Sequence, residues 1–435
     1  MVKVLGGRMN VTTIAIAAMI VVVGGGAGFW IASEPEIPML TAAARQKPVF
    51  EFNQKLIEHG AQLVAQGDCV VCHSVTGGQL FAGGLKLETP FGAIYSTNIT
   101  PDDETGIGNW SPDAFKRAMR RGVSRDGHLL YPAFPYQHFT RTSDADITDI
   151  YAYLMSRQPV HAVARTNHVI FPLNIRPLIA GWNVLFLKPG EVAADAAQSN
   201  QWNRGRYLVE GLGHCGACHS PLNILGAEKK DHATGGSIDG WDAPALAKLS
   251  AAPVPWTQSQ LVDYLHTGLA SEHSAAAGPM RAVSRELADA PLADVEAMAG
   301  YLMSLQTPGS PVAMPSVSPV VPTALAGAQV LFAGACAACH ETGAPMSTIG
   351  NRPSLAQSTS INADSPNNTI RMMLDGNGWQ ASEAAHFMPA FADTLIDTQI
   401  AELANYLRAR YSPHAPWTSL DDKAVAKVRK ETPTP

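Results

Sequence analysis

Several signatures that would place the chain in a common functional class are missing from its sequence. The single G-x-G-x-x-G match in the 435 residues, at 211–216, overlaps a cysteine motif described below and is not a dinucleotide fingerprint, and no nucleophile motif is present, so no machinery for oxidising a substrate is visible. No basic run is present and the formal net charge is −6, which argues against a nucleic-acid partner. Cysteine is scarce, and all six cysteines fall within three short motifs, which leaves none for a structural disulfide.

Each of the three motifs has the form C-x-x-C-H. Two thiols at this spacing can both reach the vinyl groups of one porphyrin and form thioethers, while the following histidine reaches the iron. A zinc site usually needs a second pair of ligands at a set spacing, and a redox C-x-x-C needs no histidine after it. We therefore predict three covalent c-type haems, with these attachment cysteines and proximal histidines: Cys69, Cys72 and His73; Cys215, Cys218 and His219; Cys336, Cys339 and His340.

The regions around the motifs repeat one plan, which predicts three copies of a small helical domain. In each copy a helix with a glycine nine or ten residues before the first cysteine leads into the motif, and a later helix closes the copy. In the first copy Ser111 and Pro112 predict the start of a short helix, and 146–156 predicts an amphipathic helix. In the first two copies the short helix is followed by a glycine, Gly122 or Gly268, twelve residues after a tryptophan.

The repeat and the local composition set the predicted domain boundaries. We assign 1–34 to a membrane anchor or signal segment, 50–160, 200–307 and 323–412 to the three helical domains, 161–199 to an apolar linker, 308–322 to a Pro-rich linker and 413–435 to a C-terminal tail. The Pro-rich linker should be extended. The apolar linker carries too many large apolar residues for a solvated tether. We expect it to pack along the seam of the first two domains, or against a partner or membrane surface.

The N-terminal segment has the composition of a membrane anchor. Lys3 and Arg8 precede an almost uncharged run at 9–33, which is long enough to span a bilayer. We expect an uncleaved anchor, with its basic end inside and the rest of the chain outside. The glycine cluster at 24–26 lowers the hydrophobicity of the run, so a cleaved signal peptide is the alternative.

Two methionines are predicted as the sixth ligands of the second and third haem irons. A haem used for electron transfer commonly has one histidine and one methionine on its iron. Met280 lies twelve residues after Gly268, and Met388 lies twelve residues after Gly376, each next to a proline and ahead of the closing helix. The same count in the first copy reaches Phe134, which cannot coordinate iron.

Two histidines near Phe134 are candidates for the first iron. His138 follows it by four residues and His128 precedes it by six, and an open or water-bound iron is the third alternative. Of the other histidines, His214 is too constrained beside Cys215 to swing over an iron, and His386 is a weaker rival to Met388.

The sequences of several stretches resemble those of one family, the tri-haem cytochrome c subunits of bacterial membrane-bound dehydrogenases. The resemblance is carried by Gly83–Leu85, Thr89–Gly92, Tyr95–Thr100, Gly106–Gly108 and Gly211–Cys215. Members serve quinoprotein alcohol dehydrogenases, flavin-dependent gluconate or sorbitol dehydrogenases, and molybdenum hydroxylases acting on aldehydes or N-heterocycles. Tyr131–Thr140 and Phe171–Pro177 are closest to the subunits paired with molybdenum hydroxylases. A histidine near position 128 also occurs in relatives with methionine in place of Phe134, so the resemblance favours His138.

These observations lead to one expected architecture and function. The fold should be all-α, with three tandem class I-like cytochrome c domains behind an N-terminal transmembrane helix at the bacterial inner membrane, and the haem domains should face the periplasm. The chain should pass electrons from a dehydrogenase, favoured to have molybdopterin and iron–sulfur subunits, to quinone, a cytochrome or an oxidase. The alternatives are a subunit of a quinoprotein or flavin dehydrogenase, a stand-alone electron shuttle, and a haem enzyme with an open iron in the first domain.

Overall fold

The computed structural model of the chain describes residues 35–40, 53–229, 233–252, 255–306, 322–344, 346, 352–378 and 387–431. The predicted anchor at 1–34, the predicted linker at 308–322 except for its last residue, and His386 lie outside these residues. Within the described part, no helix combines the length and the apolar character needed to cross a bilayer. The transmembrane helix therefore stays a prediction.

The chain divides into two compact units. One unit comprises Met1–Gly60 and Cys72–Val192, and the other comprises Ala61–Val71 and Ala193–Pro435. The second and third predicted domains thus belong to the same unit. The predicted boundaries between the three copies stay predictions.

The part of the chain before residue 193 has far more helix than strand, in line with the predicted helical domain. Its α-helices are α1 Gln54–Gln66, α2 Cys69–His73, α3 Pro112–Arg121, α4 Tyr136–Phe139, α5 Asp144–Met155 and α6 Ile179–Phe186, and its strands are β1 Lys86–Thr89, β2 Gly92–Tyr95 and β3 His168–Val169. The Ser111 hydroxyl accepts a hydrogen bond from the amide of Ala114 at 3.2 Å, which confirms the predicted start of α3. Helix α5 begins two residues before its predicted start, because Ser143 caps it.

A small antiparallel sheet departs from the all-α prediction. Strands β1 and β2 form a hairpin, and β3 pairs with β2 so that Val169 lies opposite Gly92. The sequence predicts a loop over 76–108 and a linker from residue 161, and the strands correct both predictions. Such short strands have too few residues for an alternating apolar pattern to be recognised.

The predicted apolar linker does not bury its large side chains. Phe171, Leu178, Val184 and Leu185 are exposed, although the neighbouring Ile179 of α6 is buried. The expectation that this stretch packs along a domain seam, or against a partner or membrane surface, stays a prediction.

The second unit repeats the helical plan twice. Its α-helices are α7 Asn200–Tyr207, α8 Gly216–His219, α9 Gln258–Thr267, α10 Pro279–Leu287, α11 Leu292–Ser304, α12 Ala326–Ala335, α13 Ala337–His340, α14 Thr359–Asn362, α15 Asn367–Asp375, α16 Asp397–Tyr411 and α17 Asp422–Lys430. Two short hairpins accompany them, β4 Gly236–Ile238 with β5 Trp241–Ala243, and β6 Leu269–Ala270 with β7 Ser274–Ala275.

A close helix crossing explains the glycine that precedes each of the first two motifs. A Cβ on Gly60 of α1 would lie 2.1 Å from the carbonyl oxygen of Asp149 in α5. In the second copy a Cβ on Gly205 of α7 would lie 2.0 Å from the carbonyl oxygen of Ala297 in α11. No side chain fits in either place, so the helices cross where only glycine allows the backbones to meet.

The second unit has two apolar cores, one for each copy. Trp256 and Leu302 belong to the first of them, and Phe332 and Tyr406 belong to the second. Part of the predicted C-terminal tail is the helix α17, whose Val425 is fully buried in the second core. The prediction of a separate tail is corrected accordingly.

Candidate haem-binding sites

Each C-x-x-C-H motif lies on one helical turn. The turn is α2 in the first copy, and in the others it runs from the first cysteine into α8 or α13. On a helix, side chains three residues apart lie on the same face. The two cysteines of each motif are therefore presented on one side, which is what attachment to a single porphyrin requires.

Backbone carbonyls hold the proximal histidines of the first two motifs. Nδ1 of His73 lies 2.6 Å from the carbonyl oxygen of Thr97, and Nδ1 of His219 lies 2.7 Å from that of Pro244. When Nδ1 donates to a carbonyl, the lone pair of Nε2 is available to a metal. Burial lowers the pKa of both imidazoles, which favours the neutral form that binds iron.

The proximal histidine of the third motif has a different environment. Nδ1 of His340 is buried and has no hydrogen-bond partner among the residues that the structure describes. Burial and the nearby Arg352 guanidinium both lower the pKa of His340. Its imidazole is therefore also kept neutral, as an iron ligand must be.

One cavity of about 590 Å³ in the second unit brings two predicted ligand sets together. Cys215, Cys218, His219 and Met280 line it together with Cys336, His340 and Met388. Apolar side chains such as Leu302 and Phe332 form much of the remaining wall. Paired thiols, a neutral imidazole and a thioether around an apolar space are the donor set of a c-type haem, so these residues fit the group.

Glycines with a positive φ lie close to both predicted methionine ligands. Gly376 ends α15 with a φ of 67°, and the backbone of the next residue, Asn377, forms two hydrogen bonds with that of Met388. In the second copy Gly278 adopts a φ of 53° just before α10, and Met280 is the second residue of that helix. Both methionines thus lie beside a backbone turn that favours glycine.

In the first copy the structure separates the two candidate histidines. His138 lies in α4 and is 6 % exposed, whereas the side chain of His128 is 42 % exposed. Nδ1 of His128 lies 2.6 Å from a carboxylate oxygen of Asp126, and a half-exposed imidazole held by a surface carboxylate is poorly suited to binding a buried iron. Phe134 packs against Phe139, with 5.3 Å between the ring centroids. This geometry favours His138, whose role as a ligand stays a prediction.

Asp68 is a candidate that the sequence analysis missed. It lines the cavity of the second unit, and its Oδ1 is buried without a hydrogen-bond partner among the described residues. Burial and the nearby Glu286 carboxylate raise the pKa of Asp68 to about 7, against the opposing effect of Arg285. No sequence pattern signals this environment, because Glu286 and Arg285 are far away along the chain.

His273 lines the same cavity and was also missed. Its ring stacks on that of Trp256, with 3.7 Å between the centroids, and its Nε2 lies 3.1 Å from the side-chain oxygen of Gln260. Burial lowers the pKa of His273 to about 4, so its ring is neutral near pH 7. A single histidine without a motif around it gives no signal in the sequence.

Comparison with known sequences agrees with the haem-binding geometry described above. The cytochrome c family matches residues 57–158 and 324–410. The chain is 49 % identical to one of the subunits of the nicotinate dehydrogenase of Pseudomonas putida over 387 residues, which are 88 % of this chain but only 32 % of that protein. It is 39 % identical to the gluconate 2-dehydrogenase cytochrome c subunit of Pantoea cypripedii, over 88 % of this chain and 91 % of the relative. It is 34 % identical to the fructose dehydrogenase cytochrome subunit of Gluconobacter japonicus, over 93 % and 87 % respectively.

Proposed function

The chain belongs to the multi-haem cytochrome c subunits of dehydrogenases and is an electron-transfer subunit, and on that premise we propose that its partner is a molybdenum hydroxylase of aldehydes or N-heterocycles. Two observations support this choice of partner. The relative at 49 % identity is named for nicotinate, which is an N-heterocycle. The sequence of Tyr131–Thr140 also resembles that of the subunits that serve such hydroxylases. The electrons leave to quinone, another cytochrome or an oxidase.

The single observation that carries the electron-transfer role is the shared cavity of the second unit. It contains two ligand sets with the same chemistry, built around His219 with Met280 and around His340 with Met388. Each haem, when bound, supplies reversible one-electron chemistry. The chain attaches the group through cysteines, fixes the imidazole of His219 through a backbone carbonyl, and surrounds both sets with apolar side chains. An apolar, water-poor wall also sets the potential of a metal centre.

The proposed partner can be tested by measuring haem reduction. The full chain, loaded with haem, is produced together with candidate molybdopterin and iron–sulfur subunits, and an N-heterocycle or aldehyde is added without any other electron acceptor. The absorption bands of ferrous haem should appear with substrate. They should stay absent when the same complex is produced in tungstate medium, because tungsten replaces molybdenum in the partner.

Haem reduction by another class of dehydrogenase would contradict this choice of partner. Reduction by a quinoprotein or flavoprotein dehydrogenase, and none by the molybdenum enzyme, would overturn the choice of partner while leaving the electron-transfer role intact. Dehydrogenase subunits encoded beside this chain are the first candidates to test as the electron donor.

We further propose that the chain is anchored at the bacterial inner membrane by the 1–34 segment, with the haem domains in the periplasm. The apolar run at 9–33 and the basic residues that precede it support this location.

A further inference from the structure

The stretch 170–185 of the first unit presents an apolar surface to solvent. Six large apolar side chains, here termed the α6 patch, are exposed: Ile170 by 56 %, Phe171 by 78 %, Ile175 by 43 %, Leu178 by 50 %, Val184 by 68 % and Leu185 by 66 %. A concentration of exposed apolar side chains in one short stretch is unusual for a soluble surface and marks a site of interaction.

The inner face of α6 is fixed to the rest of the unit. Ile179 and Ala180 are buried in a small core with Val123 and Leu129. The Asn183 side-chain oxygen accepts a hydrogen bond of 2.6 Å from the hydroxyl of Tyr136 in α4. The helix therefore has a fixed orientation, and Val184 and Leu185 are exposed because they lie on its other side.

The stretch that carries the α6 patch has basic residues and no acidic ones. Residues 161–190 contain no aspartate or glutamate, although the chain as a whole has a net charge of −6. Arg165, Arg176 and Lys188 lie in this range, and Lys188 directly follows the last apolar residues of α6. Basic residues that flank an exposed apolar helix complement the anionic surface of a lipid bilayer.

The described residues that follow the N-terminal apolar run pack on the loop that contacts α6. The carbonyl of Pro35 accepts a hydrogen bond of 2.6 Å from Arg117, and the amide of Ile37 donates one of 2.8 Å to the carbonyl of Arg125. Arg125 lies in the 123–129 loop, whose ends contact α6. Residues 35–37, which follow the N-terminal run in the sequence, therefore lie on the loop that contacts α6.

We propose that the α6 patch lies in the headgroup region of an anionic bilayer, beside the point where the N-terminal run enters the same bilayer. This inference rests on the proposed membrane location. The α6 patch, the basic residues of 161–190 and residues 35–37 belong to the same unit, and both α6 and residues 35–37 contact the loop at 123–129. An interfacial helix of this kind binds through its buried apolar area and through anionic lipids.

A thiol introduced into the patch can test the proposal. The six native cysteines all lie in haem motifs, so Val184→Cys adds the only free thiol to the haem-loaded full chain. Leu80→Cys is the matched control, because Leu80 belongs to the same unit and is 62 % exposed. Each variant is reconstituted without a dehydrogenase into vesicles of phosphatidylglycerol and phosphatidylethanolamine in equal amounts, and flotation with the vesicles is confirmed. Labelling by a water-soluble maleimide is then timed.

In the vesicles the thiol at position 184 should react at least about tenfold more slowly than the thiol at position 80, since it lies in the lipid interface. Adding Leu178→Glu and Leu185→Glu to Val184→Cys should restore fast labelling, because the helix then leaves the bilayer. Equal rates in protein that floats would overturn the α6 proposal and leave the location intact. Protection that appears only after the dehydrogenase is added would assign the patch to that partner and overturn the proposal. Failure to float would refute the anchor, and the patch proposal with it.

Discussion

The backbones of Asn377 and Met388 pair through two hydrogen bonds, of 2.8 Å from the amide of Asn377 and 3.0 Å from the amide of Met388. This bridge fixes a predicted iron ligand to the end of α15. It also explains why the methionine occurs at a constant distance from Gly376. A Cβ on Gly376 would lie 2.5 Å from the carbonyl oxygen of Met388, and the φ of 67° disfavours any other residue there.

Substituting Gly376 should therefore affect the third haem in the same way as removing its ligand. Gly376→Ala should lower the free energy of unfolding by about 1–2 kcal/mol, because alanine resists the left-handed conformation. Both Gly376→Ala and Met388→Ala should remove the long-wavelength absorption of a ferric Met-ligated haem and lower its potential, measured by redox titration. Covalent haem content should stay at the three per chain that the motifs predict.

Gly327→Ala is the matched control, since no atom lies within 4 Å of the position of its Cβ. Its spectra should equal those of the unsubstituted chain. Met280→Ala tests the second haem in the same way. Unchanged optical and redox spectra after either methionine is removed would contradict the assignment for that copy.

For the first haem we predict that replacing His138 by alanine changes the iron site and that replacing His128 does not. His138→Ala should open the first iron to carbon monoxide and impair electron transfer, without loss of the covalent haem. The first haem should also have the lowest potential of the three, because a second imidazole stabilises ferric iron more than a thioether does.

His128→Ala is the control, because that side chain is 42 % exposed and contacts the carboxylate of Asp126. It should change neither the carbon monoxide spectrum nor the potentials. Carbon monoxide binding by the unsubstituted ferrous chain would instead support an open first iron and the alternative of a haem enzyme.

Features that depend on residues close together in the sequence could be predicted, whereas features that depend on residues far apart along the chain could not. The start of α3 follows from two adjacent residues, Ser111 and Pro112, and was predicted correctly. The shared cavity combines residues from separate copies of the repeat, and no local pattern specifies that contact. The environment of Asp68 was missed for the same reason, because burial and the carboxylate of Glu286, which is distant along the chain, raise its pKa.

The stability of the chain should depend on pH through Asp68. Its pKa is about 7 in the folded chain instead of the ordinary 3.8, so between these values the folded state binds a proton that the unfolded state has released. The contribution of Asp68 to stability is therefore fully present below about pH 4 and is lost as the pH rises through about 7. Asp68→Asn removes this dependence. Relative to the unsubstituted chain, the variant should become progressively more stable as the pH is raised across this window.

The measurement is the urea midpoint of the haem-loaded chain at several pH values. Glu104→Gln is the control, because the side chain of Glu104 is 81 % exposed. If the curves of Asp68→Asn and the unsubstituted chain run parallel from about pH 4 to about pH 8, the carboxyl is not buried as a proton-binding group.

The membrane location gives a fourth prediction. Membranes washed with high salt should retain the full chain and detergent should release it, because an apolar run that spans a bilayer is not displaced by salt. Deleting residues 9–32 and supplying a cleavable signal peptide should yield a soluble protein with three haems. The outcome is read from the haem spectrum of the soluble and membrane fractions. Retention of the shortened chain would shift the attachment to the α6 patch or to a partner subunit.

The shared cavity also limits how the chain can be shortened. The sequence of the chain repeats one plan three times, which suggests modules that could be exchanged or removed one at a time. In the structure, however, the wall around Met280 is completed by residues such as Phe332 and Met388 from the next repeat. A truncation before residue 323 would leave that wall open to water. In engineering, and in any natural loss of domains, the second repeat should therefore not be kept without the third.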